Sequence, residues 1–374
     1  MDTKDKNQEL TAHGIMSPDT VESPLQLEPA LMELSNNDLA TTLNENQLKE
    51  LQEKQKKPPT PLQDSLRRLR RDKRAMVSFG IIGFFVLLAL FGPFIYQRIG
   101  GPYESSVSGT IGPQVYHTYY HQELDRQDEG PSAQYWLGTD DLGRDMLARL
   151  MQGILISISV AVAVEVVDIT MGILIGVLAG FHGGWIDQVL ARFTDIIFAF
   201  PYLLFIILVA GIFGEWADTN LSGIPLIGAN GNARLLLVSL ALAFVTWPLM
   251  ARYVRGQTLQ LKEQQFIEAA RTAGTSDTQI ILRHIIPNLF SIVVVASTLN
   301  IVTTIIAEAG ISLLGLGVQQ PGSSIGLMIA QAQNLVDTHP WEILLPSGVL
   351  AIIVLCFSFI GDGLRDAFDP RSKD

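Results

Sequence analysis

Glu165 and Asp168 stand three residues apart in a stretch that is otherwise almost wholly apolar. Three apart on a helix means one face, and an acid near the middle of a membrane span costs on the order of 2.5–3.5 kcal/mol on insertion scales. Two kinds of chemistry would offset that cost. The pair could line a pathway and accept a cationic group such as a peptide ammonium, or it could face a partner helix and be satisfied there by Ser or Thr. Asp195 and Glu308 lie nearer the ends of their apolar stretches, where interfacial water or helix ends would satisfy them.

A second acidic group sits in Tyr135–Gly153, YWLGTDDLGRDMLARLMQG. The run suits a tight turn in which Asp140, Arg144 and Asp145 bond one another. The spacing of its three acids does not match an EF-hand, and too few oxygens converge in sequence for calcium, so no metal is expected. Enzyme chemistry finds no support elsewhere. The chain has no Gly-x-x-x-x-Gly-Lys-Ser/Thr loop for nucleotide phosphates, and its six histidines form no His-Glu-x-x-His site. An aspartyl pair of Asp168 and Asp195 lacks any motif around it. No cofactor is expected.

The elements that must position these residues are membrane spans. Of 374 residues, 48% are hydrophobic and only 17% charged, the mean hydropathy is positive, and the charge is concentrated in a few stretches. The six basic residues of RRLRRDKR, Arg67–Arg74, abut an uncharged run, Ala75–Gln97, long enough to cross a bilayer; such a block holds the N-terminus in the cytoplasm, in contact with anionic lipid. Five more spans are expected near Gly153–Phe181, Val189–Phe213, Arg234–Val254, Ile285–Gly310 and Trp341–Leu364. Six spans place both termini in the cytoplasm, and the loop between the last two has neither Lys nor Arg, as an outer loop should.

Outside the spans the composition is polar. Residues 1–61 end in the breaker KKPPTP and read as a disordered cytoplasmic tail, with at most a short helix near Leu39–Leu51. A secretory signal is not expected, because the first apolar run begins roughly seventy residues in. Residues 62–97 form the basic juxtamembrane segment and first span, and 98–149 an extracytoplasmic loop with Tyr116, Tyr119, Tyr120, Tyr135 and Trp136 suited to packing. The net charge of −11 comes mostly from the tail and this loop, which argues against nucleic acid as a partner. Cys356, the single cysteine, can make no intrachain disulfide.

One polar stretch lies wedged between two apolar ones: Glu263–Asn288, EQQFIEAARTAGTSDTQIILRHIIPN. Glu268, Ala269, Ala270, Arg271 and Ala273 favour a short helix, Gly274 is a natural stop, Thr275, Ser276 or Asp277 can cap a second helix, and Pro287 bounds it. This spacing, Glu268-Ala269-Ala270, then Gly274, then His284-Ile-Ile-Pro287, resembles the cytoplasmic coupling (EAA) loop of ATP-binding-cassette importer permeases. His284 stands where the wider family has Ile, a departure common in the oligopeptide and dipeptide branch. Tyr135–Gly153, FHGGWID, RFTDIIFAFPYLL, EAGISLLGLGVQQP and IGDGLRDAFDPR extend the resemblance from Arg67 to the end, to the C-type subunit of the oligopeptide, dipeptide and nickel permeases.

That resemblance implies an all-α, polytopic protein with the six-helix, MetI-like fold of type I importers: a disordered tail, then a five-helix permease core over 150–374 with its coupling loop at 255–288. It implies a multi-pass protein of the cell membrane that is not itself an enzyme. A B-type permease would supply the other half of the pathway, two ATPase subunits would hydrolyse ATP, and an extracytoplasmic binding protein would deliver oligopeptides or dipeptides. Nickel chelates and antimicrobial peptides are cargo of close family members, and a transport-inactive scaffold or sensor is the alternative of another class. Glu268, Ala269, Ala270, Gly274, His284 and Pro287 carry the coupling role, and Glu165 and Asp168 are candidates for the pathway; Glu165 departs from the small or apolar residue usual there.

Overall fold

The computed structural model describes residues 61–99, 104–105, 109–110, 116–221 and 233–368. From Gln63 onward they belong to one unit, Gln63–Asp374. The tail expected over 1–61 therefore lies outside the described residues, save for Pro61.

The basic block forms helix α1, Pro61–Arg71, with Asp64 in its first turn and Arg68, Arg70 and Arg71 in its last, the arrangement that complements a helix dipole. Asp72 then interrupts: its Oδ1 accepts from the Arg74 amide at 2.9 Å and starts α2, Lys73–Ile99. A short antiparallel pair, β1 (Glu104–Ser105) and β2 (Gly109–Thr110), lies in the following loop. Helix α3, Met146–His182, is capped by Asp145, whose side chain accepts from the amides of Leu147 and Ala148. At 37 residues and 1.5 Å per residue, it is about 55 Å long, more than the ~30 Å hydrocarbon core, so it projects beyond the bilayer.

The third span departs from expectation. Val189–Phe213 is not one helix: α4 covers Gly184–Phe198, and α5 begins afresh at Tyr202 and runs to Asn220. Pro201 lacks an amide hydrogen and biases Phe200 away from helical geometry, so the chain breaks inside the expected span. Asp187, Arg192 and Asp195 mark α4 as two-faced, and α5 alone is long and apolar enough to span. Helix α6 follows (Ala233–Leu261), then α7 (Gln265–Thr272), α8 (Asp277–Ile280), a π-helical turn (Ile281–Ile285), α9 (Ile286–Leu313), α10 (Ile325–Ala332) and α11 (Pro340–Phe368).

Among the described residues six helical stretches are long and apolar enough to cross a membrane: α2, α3, α5, α6, α8 with α9, and α11. The chain is a multi-pass membrane protein, and its described residues are helical apart from the short β1–β2 pair and the connecting loops. Their outward faces carry Phe84, Leu87, Phe91, Leu204, Leu208 and Ile212, all exposed, because lipid leaves no driving force for burying them.

Close packing of α3 on α6 organises the interior. A Cβ on Gly176 would lie 2.7 Å from the Ala251 carbonyl oxygen and 2.8 Å from Val254 Cβ, so only glycine lets the two backbones approach this far. Apolar clusters then mark the two ends of α3. Leu150 and Ile154, near its start, pack with Phe85, Ile325 and Ile353. Val177 and Phe181, near its finish, pack with Val254, Ile267, Ile280 and Leu289. The basic helix joins that second end, with Leu69 of α1 and Ala75 of α2 against Leu364, Ala367 and the early part of α9.

Candidate functional site

The acidic pair of α3 is wholly inside the protein, Glu165 at 5% exposure and Asp168 at 0%. Asp168 accepts from Thr246 Oγ1 of α6 at 3.0 Å and from Asn300 Nδ2 of α9 at 2.6 Å, and Glu165 accepts from the same amide at 2.9 Å. Three spans are thereby joined through one polar knot, as expected for acids in apolar surroundings. Asn300 is half-buried. It lines two neighbouring cavities, one of about 390 Å³ shared with Thr246, Thr303 and the Phe198–Tyr202 break, the other of about 330 Å³ shared with Tyr253 and Arg365. Glu165 keeps one carboxylate oxygen without a hydrogen-bond partner among the described residues.

Asn300 was not singled out in the sequence. An amide in an apolar run is a weaker signal than an ionisable residue, although it is the donor that both carboxylates need.

Glu308 and Asp195 correct two expectations. Glu308 is not at a wet helix end: it is 1% exposed and accepts from Ser157 Oγ of α3 and Ser312 Oγ of α9, each at 2.8 Å. Asp195 lies on α4 rather than in a span and pairs with Arg252 of α6 at 2.7 Å on the surface. Its neighbour Asp187 takes both Nε and Nη2 of Arg255, at 2.5 and 2.7 Å. The forked bond with Arg255 holds the Asp187 carboxyl below the ordinary carboxylate range.

At the start of α3 the expected turn is present with its membership changed: Arg149 joins and Asp145 does not. Asp140 accepts from Arg144 Nε at 2.8 Å and from the amides of Leu142 and Arg144, and it also pairs with Arg149. Arg149 reaches Gln331 of α10 at 2.7 Å, a partner 182 residues away that local sequence does not point to. Asp145 does not join this pair; it caps α3 and bonds His117 Nδ1 at 2.8 Å. Tyr116 and Tyr135 are buried beside them.

The polar segment at the other end has the helix, stop and helix that its residues implied. Helix α7 closes with the amide of Gly274 on the Arg271 carbonyl, 2.9 Å, and that of Thr275 on the Ala270 carbonyl, 3.1 Å. This paired closure needs a left-handed residue after the helix, and Gly274 has φ +78° with open space where a Cβ would stand. The inner side of the segment is anchored by Ile267, Ile280 and Ile285, each 0% exposed, and by Arg271 over the Phe181 ring at 5.5 Å. Its outer side presents Glu268, Ala269, Ala273 and Gly274 to solvent, with Ala270 half-buried. His284 sits in the π-helical turn with its ring 6.4 Å from that of Phe266. Pro287, exposed, opens α9 and lacks the amide that would have continued a regular helix across the turn.

The apolar anchors and solvent-facing small residues describe a module fixed to the bundle on one side and bare on the other. The family model for the binding-protein-dependent transport system inner membrane component matches residues 172–374, from the second half of α3 through that module to the end. This chain belongs to that family. The N-terminal transmembrane domain of oligopeptide transport permease C matches residues 60–131, a range that takes in α1 and α2, so the transport component is a C-type permease subunit of the ABC importer class.

Similarity extends over most of the length of curated relatives. The chain is 32% identical to the dipeptide transport system permease protein of Alkalihalophilus pseudofirmus, covering 84% of this chain and 91% of the relative. It is 34% identical to the oligopeptide transport system permease protein of Bacillus subtilis, over 83% and 90%. To the glutathione transport system permease protein of Escherichia coli O6:K15:H31 it is 38% identical, over 84% and 92%. Among solved structures, the inward-facing MetNI methionine ABC transporter aligns with 60% of this chain and 98% of its own at 18% identity and a TM-score of 0.47.

Proposed function

We propose that this permease forms half of the translocation pathway of an ATP-driven importer of oligopeptides or dipeptides, and that Glu263–Asn288 transmits the ATPase cycle to it. A B-type permease supplies the other half, two ABC ATPase subunits dock at the segment, and an extracytoplasmic binding protein delivers cargo. One observation carries the reading: α7 and α8 bury their isoleucines in the bundle and leave Glu268, Ala269, Ala273 and Gly274 bare. A small-residue face with one carboxylate lets a partner's backbone approach closely, and rigid seating on Ile267, Ile280 and Ile285 makes movement of the segment movement of α6 and α9. His284 and Pro287 belong to that hinge into α9.

The basic helix α1 packs at the same end as the segment, which supports a cytoplasmic placement for both, with the termini on that side. Glu165 and Asp168 enter the pathway through Asn300. They hold its amide from behind, and the groove it lines is walled by the α4–α5 break, where the helix is interrupted as pathways require. Removing either carboxylate frees that amide to turn. Cargo class rests on the relatives, whose names speak of dipeptides, oligopeptides and glutathione.

The test is co-purification. Solubilised under mild conditions, the chain should bring down two ATPase subunits and a second permease, and loaded binding protein should raise the ATPase rate. A chain that purifies without an ATPase is not a transport subunit.

A further inference from the structure

A second polar cluster lies at the loop end of the bundle, away from the coupling segment. Asp128 comes from the loop before α3, His339 directly precedes α11, and Glu342 is in the first turn of α11. A carboxylate oxygen of each acid and a ring nitrogen of His339 all lie within 4.8 Å of one another. Glu342 is only 2% exposed, yet its Oε1 has no hydrogen-bond partner among the described residues, and the same holds for Asp128 Oδ1 and His339 Nδ1. A buried carboxylate oxygen left bare costs the full desolvation of that group, so three donor atoms converge on a point that nothing among the described residues fills.

We infer that Asp128, His339 and Glu342 form a binding site for a divalent first-row transition cation, with Zn2+ as the fitting probe. Two carboxylates cancel the charge of one divalent ion in a place that water does not reach freely. The imidazole argues for zinc-like metals over Ca2+ or Mg2+, which take oxygen ligands. Bonds of about 2.0–2.2 Å lie within reach of the three groups by small side-chain movement. The loop supports the geometry: Asp128 sits at φ +53°, with its amide on the Asp140 carbonyl at 3.0 Å, and Glu342 is fixed at a helix start. Three protein ligands leave one position for water, and the bound ion would clasp the loop to the last span. This inference stands apart from the cargo and from the coupling segment.

Zn2+ binding to the full-length chain, purified with whatever subunits accompany it and stripped of metal, can be followed with a competing chromophoric chelator in excess Mg2+. The expected result is one ion per chain that is lost, or weakened by about tenfold or more, in both His339→Ala and Glu342→Gln, while His182→Ala binds as the unaltered chain does. Gel filtration establishes that each variant is intact, and Asp128→Asn replaces Glu342→Gln if that variant aggregates. An unaltered chain that takes up no Zn2+, or one of these ligand variants that binds as tightly, overturns the proposal; in that event protons rather than a metal neutralise the cluster.

Discussion

Replacement of Gly274 separates what the chain needs from what its partner needs. The residue has φ +78°, and beyond its own chain neighbours no atom of the described residues lies within 4 Å of an added Cβ, so the cost inside the chain is backbone strain, about 1–2 kcal/mol for an ordinary L residue. That is small beside the roughly 5–15 kcal/mol typical of a folded domain, and the strained turn lies outside the buried isoleucine anchors. Both Gly274→Ala and Gly274→Asp should therefore insert and accumulate normally. Asp tolerates the left-handed region better than Ala, so backbone strain makes Asp the milder change. A docked surface reverses the order, because Asp adds bulk and a second charge near Asp277 at a desolvated contact. A loss of about 2 kcal/mol there weakens docking more than tenfold. In reconstituted complexes, uptake and ATPase stimulation should be nearly abolished in Gly274→Asp and reduced only a few-fold in Gly274→Ala, at equal permease levels. Equal losses in the two variants, or normal transport by Gly274→Asp, would refute the docking argument.

Other perturbations bear on the remaining claims. Leu124→Cys, exposed in the loop before α3, should react with an impermeant thiol reagent from outside intact cells while Ser276→Cys does not; reversed labelling would overturn the orientation. Glu165→Gln combined with Asp168→Asn should leave complex assembly intact and lower uptake, most for basic peptides, since the amides keep size and remove charge; a flow of basic and acidic peptides in unchanged ratio would leave the pair a purely interhelix device. Gly176→Leu must displace α6, whose Ala251 carbonyl would stand 2.7 Å from the new Cβ. Overpacking of this kind costs about 1–3 kcal/mol or more and should lower the yield and the melting temperature, and unchanged thermal stability would show that α3 and α6 are not in close contact.

What the sequence disclosed depended on how local the determinants were. The run of apolar residues after Arg74 and the Gly274 stop are decided within a few residues, and the structure has both. Pro201 marks the α4–α5 break, but the apolar run continues across it and composition averages over the interruption, so the stretch reads as one span. The partners of the buried acids were out of sight for a different reason. Asp168 finds Thr246 and Asn300 at separations of 78 and 132 residues, and Glu308 finds Ser157 at 151, so their satisfaction depends on which helices meet. The same holds for Asp128, His339 and Glu342, a cluster with no spacing signature at all.

The most direct measurement of the central claim is accumulation of a labelled peptide in proteoliposomes that hold the reconstituted complex, with ATP on the ATPase side and loaded binding protein on the other. The expected result is uptake above the starting gradient that needs ATP, binding protein and this chain together, and that stops in Gly274→Asp. Accumulation that persists without this permease, or its absence from an intact complex across dipeptides, longer peptides and glutathione, would contradict the function assigned to it.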